Sequence, residues 1–170
     1  MKSKTAQESL SITTEIVLPN DTNNLNNLMG GRLLHWMDIA TAIAAHRHCG
    51  RIVVTAAVNN VSFSKAIPAG SIVTLEAKVT RAFTSSMEVI VDVWMENNQH
   101  KGKVKCNEAI YTFVAVDDAG NPVKIPSISP QTTEEQHRFE GALRRKQLSL
   151  VLAGKMNPHD ATELKALFLK

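Results

Sequence analysis

This 170-residue chain has few cysteines, little charge imbalance and no long apolar run. No stretch is long enough and apolar enough to span a bilayer as a helix. The opening residues, Met1-Lys2-Ser3-Lys4-Thr5-Ala6-Gln7-Glu8, carry no apolar signal core. Cys49 and Cys106 are the only cysteines, one beside a helix-stop glycine and the other in a strand-like run. They read as free thiols in a reducing compartment, and the expected location is the cytoplasm. Nineteen basic against sixteen acidic side chains leave a net charge of +3, too little to argue for nucleic acid, though compatible with an anionic small molecule. No serine stands in a G-x-S-x-G setting, and no Lys-Ser or Lys-Thr follows Gly30-Gly31, so neither a nucleophile elbow nor an NTPase phosphate loop is present. His35, His46 and His48 lack a convincing metal spacing, and no metal site is expected.

The remaining composition, 44% hydrophobic and 21% charged, is that of a soluble globular domain, and the length favours one. Residues 10–18 alternate, with Leu10, Ile12, Thr14, Ile16 and Leu18 on one side, which predicts a strand. The turn-forming stretch 19–27 then leads into a helix over about 29–48. Its last turn holds His46, Arg47 and His48, and Gly50 supplies the stop. Four strand-like segments follow at 51–64, 71–83, 87–96 and 103–116, rich in Val, Ile and Thr. Their short connections, the Asn97-Asn98-Gln99-His100 turn among them, require antiparallel hairpins. In the segment 88–96 both faces carry apolar groups, so each meets another element. Pro122, Pro126 and Pro130 mark an extended stretch. Thr132-Thr133-Glu134-Glu135 opens a polar helix to about Ala153, and Pro158-His159-Asp160 opens a short one carrying Leu164, Leu167, Phe168 and Leu169. The architecture is α+β, a long helix wrapped by an antiparallel sheet. The expected divisions are a tail at 1–9, the main domain at 10–126 and a helical extension at 127–170. The open side of such a helix is most economically closed by a second subunit.

Within the helix, apolar and small residues surround Asp38, so the segment reads as buried on most sides. A carboxylate there must find partners or shift its pKa, and it is retained for chemistry or for a structural network. Gly30-Gly31 opens the same helix, where unpaired N–H groups can hold an oxyanion. A carbonyl at the helix start with a carboxylate two turns along suits hydrolysis. The bland readings are a structural ion pair for Asp38, a turn cluster for 21–27 and a solvated face for Arg144-Arg145-Lys146.

Several blocks, taken in order, resemble the acyl-CoA thioesterases of the hotdog-fold superfamily. They are Leu18-Pro19-Asn20-Asp21-Thr22-Asn23, the run from Met29-Gly30-Gly31 to Asp38, and His46-Arg47-His48-Cys49-Gly50. Val54-Thr55-Ala56-Ala57-Val58, Lys78 to Val89, Ala109 to Val116 and Arg144-Arg145-Lys146 continue them. The resemblance implies a double-hotdog dimer, assembled three at a time into a hexamer, that converts acyl-CoA and water into a carboxylic acid and CoA. It needs no separate cofactor, because CoA is part of the substrate and product. It places the catalytic carboxylate at Asp38 and a polarising or water-positioning asparagine at Asn23, contributed by the other subunit; the oxyanion donor, read from the helix start itself, is the N–H of Gly31 or a neighbour. CoA contacts carry over to Ala56, Ala57, Val58, Ser85, Ser86, Met87 and Arg145, the last offering its guanidinium fork to a phosphate. Leu34, Met37 and Met87 would wall the acyl slot. The chain departs from many members at Asn26, Asn27 and Ile39-Ala40, which bears on loop shape and acyl preference. Neither nucleic acid nor membrane is an expected partner. The alternatives are a non-catalytic acyl-CoA sensor, with no helix-turn-helix before Leu10, and an enoyl-thioester hydratase, for which His35 would have to act.

Overall fold

The computed structural model describes residues 2–97 and 100–168; Asn98-Gln99 of the expected turn and Leu169 lie outside them. Helix α1 (Gly30–Cys49) buries Leu33, Trp36, Met37, Ala40, Thr41, Ala44 and Ala45, a set recurring every three or four residues. Its opposite side, with Arg32, His35, Ile39 and His46, is exposed in the single chain. The expectation of a helix buried on most sides is therefore corrected: α1 is amphipathic, and the small residues among the buried set let the sheet approach it closely. Gly50 (φ 61°) ends the helix by donating to the His46 carbonyl at 2.7 Å. Lys4, far away in sequence, donates to the carbonyls of Arg47 (3.2 Å) and His48 (2.7 Å) and so supplies the dipole-matching charge. His48 does not supply it. Its ring is fully buried and held on the Pro126 carbonyl at 2.8 Å, and burial pushes its pKa down.

Strands β2 (Ser11–Ile16), β3 (Ile52–Phe63), β4 (Ile72–Ala82), β5 (Ser86–Asn97) and β6 (His100–Val116) form one antiparallel sheet in the order β2-β4-β5-β6-β3. Val73, Leu75 and Val79 of β4, Val89, Val91 and Val93 of β5, and Tyr111 and Phe113 of β6 are buried towards α1. Full burial of such a side chain contributes about 1.5–3 kcal/mol, so this layer outweighs any one charge pair. A two-residue parallel ladder ties the tail to the extension: β1 (Lys4–Thr5) pairs with β7 (Ile128–Ser129).

The face of β2 that carries Ile12 and Ile16 is the outward one. Ser11 and, just past the strand, Val17 point inward, while Ile12, Ile16 and Leu18 stay more than half exposed. Alternation reports which residues share a face; it does not report which face meets the core of the same chain. In β3, Thr55 pairs with Phe113 and Ala57 with Thr112, so Ala56 is an extra, bulged residue. The bulge resets the alternation: Thr55 faces α1, and Ala57 joins the opposite face.

Helix α2 (Thr133–Leu152) crosses that opposite face, its first turn capped by the Thr132 hydroxyl, which accepts from the Glu135 N–H at 3.1 Å. Two buried carboxylates of β5 receive it. Glu88 accepts from Nε and Nη2 of Arg145 at 2.8 and 2.7 Å, and Asp92 takes Arg138 at 2.8 Å and Lys105 at 2.6 Å. The short α3 (Thr162–Lys165) folds back on α2, where the Leu164 N–H donates to the Gln147 side chain at 2.9 Å. Among the described residues no helix is long and apolar enough to cross a membrane.

Burial raises the Asp92 pKa, but the hydrogen bonds and charges of Lys105 and Arg138 outweigh it and hold the carboxyl below its ordinary value. A depressed carboxyl stabilises the fold above its unfolded pKa, near 3.9, and that contribution is lost as pH falls through the folded value. Asp92→Asn should lower stability at pH 7 by roughly 1–2 kcal/mol. The loss stays below the usual cost of breaking a buried pair, because Arg138 and Lys105 keep Glu134 and Glu108. Urea midpoints should show the variant and the native chain converging below about pH 4.

Candidate active site

Asp38 sits in the middle of α1, half-buried, and accepts a hydrogen bond from the Thr55 hydroxyl at 3.0 Å. Among the described residues no cation pairs with it, so the structural ion-pair reading has no partner to supply it. Tyr111 borders the same spot from β6. Its hydroxyl donates to the Leu34 carbonyl at 3.2 Å, one turn before Asp38. Burial first, and the negative charge of Asp38 second, push the Tyr111 pKa up to about 12. A neutral hydroxyl wall on one side and a hydroxyl donor on the other leave the second Asp38 oxygen available to a water or an electrophile.

Thr55 was missed as a site residue. Nothing in its local pattern marks it, because its aim at Asp38 depends on pairing with β6 and on the bulge that follows it. It does lie in one of the blocks that carry the family resemblance.

Gly31 is the second residue of α1, exposed, and no side chain caps this helix start. Its N–H is free to meet an anion, yet it does not converge on Asp38 within one chain. Seven residues of helix rise about 10 Å, whereas reacting groups must lie about 3–3.5 Å apart. The expectation that both serve one carbonyl from the same chain is corrected by this distance. The loop before the helix is fixed by Asn23, whose side-chain oxygen accepts from the Leu25 and Asn27 N–H groups at 2.9 and 3.2 Å. That leaves its amide N–H₂ as the group it can offer outward. Asp21, buried beneath the loop, holds Arg32 at 2.7 Å, and Phe63 packs 3.4 Å from where a Cβ on Gly30 would stand.

On the other face of the sheet a groove of about 270 Å³ runs between β3, β5 and α2. It gathers Ala56, Ala57, Ser86 and Arg145 of the expected CoA contacts, together with Phe83 and Lys146. Ser85 sits in the adjoining turn, its carbonyl bonded to the Ala115 N–H at 2.8 Å, and Val58 is exposed on β3. Two expectations need correction. Met87 is completely buried and presents no surface, and Met37 is equally sealed, so of the proposed acyl walls only Leu34 reaches the surface. The Arg145 fork is already spent on Glu88, whose side chain is only 7% exposed.

The chain has a single tyrosine, so alkaline titration followed by tyrosinate absorbance reads Tyr111 alone. The midpoint should lie near 12 and should fall in Asp38→Asn while staying above the ordinary value near 10, since burial is the larger cause.

Residues 25–100 match the family model described as the thioesterase superfamily. The chain is 41% identical over 139 residues to the uncharacterized acyl-CoA thioester hydrolase YkhA of Bacillus subtilis, covering 82% of this chain and 81% of that protein. It superimposes on an apo-hexameric acyl-CoA thioesterase with a TM-score of 0.86 at 36% identity, over 90% of this chain and 98% of that one. An acyl-CoA hydrolase from Staphylococcus aureus, in complex with butyryl coenzyme A, coenzyme A and coenzyme A disulfide, gives a TM-score of 0.83 at 32% identity, over 90% and 95%. The same hydrolase has been solved with an aspartate, a threonine or an asparagine replaced by alanine. At such identity over so much of both chains the likeness is one of descent, and the protein belongs to the thioesterase superfamily.

Proposed function

We propose that the protein is an acyl-CoA thioesterase, hydrolysing acyl-CoA to a carboxylic acid and CoA, with Asp38 as the base or nucleophile. The observation that carries this reading is a carboxylate with a hydroxyl donor on one oxygen and no cation among the described residues. A charge so placed is not neutralised by a neighbour. The aspartate, threonine and asparagine exchanged in the Staphylococcus aureus hydrolase fall at the same separations along the chain as Asp38, Thr55 and Asn23 here.

The chemistry follows from the groups. The Thr55 hydroxyl orients the carboxylate. Its other oxygen takes a proton from water attacking the thioester carbonyl, or attacks that carbon itself. A helix-start N–H such as that of Gly31 receives the developing oxyanion. The CoA thiolate is a ready leaving group, since a thiol has a pKa of about 8.5, so no strong acid is required.

Because Gly31 and Asp38 of one helix stand about 10 Å apart, a complete site takes Asp38 and Thr55 from one protomer and Gly31 and Asn23 from its partner. The edge strand β3 offers the seam. Ile52, Val54, Val58 and Phe63 are each between 43% and 54% exposed on it, and an open apolar edge calls for a pairing strand. A β3–β3 dimer, assembled three at a time, is the form expected by likeness to the hexameric thioesterase.

The hydratase alternative is disfavoured because His35 is exposed and makes no hydrogen bond to Asp38 among the described residues. Thiol release from a panel of acyl-CoAs separates hydrolysis from binding alone. Asp38→Asn should stay folded by circular dichroism and lose about 10²–10⁴-fold in kcat, and Thr55→Val about tenfold, the value of one hydrogen bond. Near-native turnover in a folded Asp38→Asn chain would contradict the assignment.

A further inference from the structure

Two cations line the groove beside Ala56 and Ala57, Arg145 and Lys146, and Arg81 stands near them at Phe83; the three are not equivalent. Arg145 is paired and held: the Nε–Nη2 edge of its guanidinium is on Glu88, which also accepts from the Thr80 hydroxyl at 2.6 Å. Arg81 is held too, donating to the Phe139 carbonyl at 3.1 Å with its guanidinium 4.0 Å from the Phe139 ring centre. Lys146 differs. Its ammonium rests on the Phe83 ring at 3.6 Å, and no carboxylate among the described residues pairs with it. Phe83 also has Arg81 at 5.7 Å, so two positive charges share one ring.

Burial first, and the charge of Arg81 second, push the Lys146 pKa down. Glu88, the carboxylate in the groove lining, is paired with Arg145, and Glu163 acts on Arg81 beside it, so Lys146 is the lining cation that no carboxylate among the described residues pairs with. A cation–π contact at a partly exposed site is weaker than a charge-assisted bond to phosphate. The bulge at Ala56 links this groove to the chemistry: Thr55 faces Asp38 while Ala56 and Ala57 line the groove, on a strand at the sheet edge. The strand that carries Thr55 thus also carries part of the groove lining, beside the seam at which the two protomers are proposed to meet.

We propose that Lys146 is the side chain that grips the phosphate-bearing nucleotide end of acyl-CoA. In this arrangement Arg145 is a positioning residue that fixes α2 on the sheet through Glu88. The proposal rests on the acyl-CoA reading above and adds the division of labour between these neighbours.

The test uses one acyl group on three carriers: CoA, 3′-dephospho-CoA and pantetheine, which lacks every phosphate. Lys146→Ala should raise KM for acyl-CoA about tenfold, the loss of one charge-assisted contact, with kcat unchanged. It should leave KM for the pantetheine thioester where it was, and it should flatten the rise of KM with salt. Lys146→Arg should restore most of the affinity. A KM effect on dephospho-CoA as well supports the proposal with the diphosphate as the contact; an effect confined to CoA supports it with the 3′-phosphate. An unchanged KM for acyl-CoA, or an equal rise for CoA and pantetheine thioesters, overturns it while leaving the thioesterase reading intact. Native protein that releases no thiol from any of the three overturns both.

Discussion

An α-helix rises 1.5 Å per residue, and that constraint governs the arrangement of this protein. The first turn of α1 offers free N–H groups, its middle carries Asp38, and about 10 Å of helix lies between them. No side-chain rotation closes such a gap. On the proposed reading, a single chain therefore holds half of each of two sites: an anion-accepting helix start at one place, a base with its hydroxyl partner at another. Placing two such helices antiparallel beside one another brings each start to the other's middle. On the proposed chemistry a dimer is then required, and the exposed apolar side chains of β3 are the surface proposed to meet it.

The sheet separates two kinds of work. Its inner face is a layer of aliphatic and aromatic side chains against α1, which fixes Thr55 and Tyr111 relative to Asp38 with little polar help. Its outer face carries charge under α2, with Glu88 on Arg145 and Asp92 on Arg138 and Lys105. Pairs buried to this degree are weak sources of net stability, because desolvation offsets most of their attraction. Their value here is register: each carboxylate accepts one arginine of α2, and a slip of one residue along the helix would strand both. The register decides that Lys146 stands over Phe83 at the groove.

Much of this was legible in the sequence because it is local. The limits of α1 follow from Gly30 and Gly50, those of α2 from Thr132 and Gly154, and the hairpins from short turns between β-rich runs. The misreadings are non-local. Ile12, Ile16 and Leu18 share one face of β2, as their alternation says, but that the inward face belongs to Ser11 and Val17 is a choice made by pairing with β4, on which the alternation is silent. Thr55 was hidden because a bulge, absent from any alternation pattern, sets where it and Ala57 point. Arg145 read as a free fork because Glu88, far back in sequence, gives no sign of becoming its partner. Met87 sits beside groove residues in sequence but faces the core, as strand periodicity demands one residue after Ser86. The likeness of Asp38, Asn23 and the neighbouring blocks to a known family carried the site further than any single spacing did.

The absence of a cation beside Asp38, among the described residues, is the most telling feature of the site. The buried carboxylates in the outer layer are each met by an arginine, and Asp21 beneath the loop is met by Arg32. Asp38 has a threonine hydroxyl and a tyrosine whose own proton is directed elsewhere. An arginine there would stabilise the carboxylate and, by the same interaction, weaken it as a base or nucleophile. A hydroxyl donor fixes its direction and leaves most of its charge available to a carbonyl or a water. The fold thus treats its carboxylates in two ways, and the one left without a counter-ion lies nearest the open edge of the sheet.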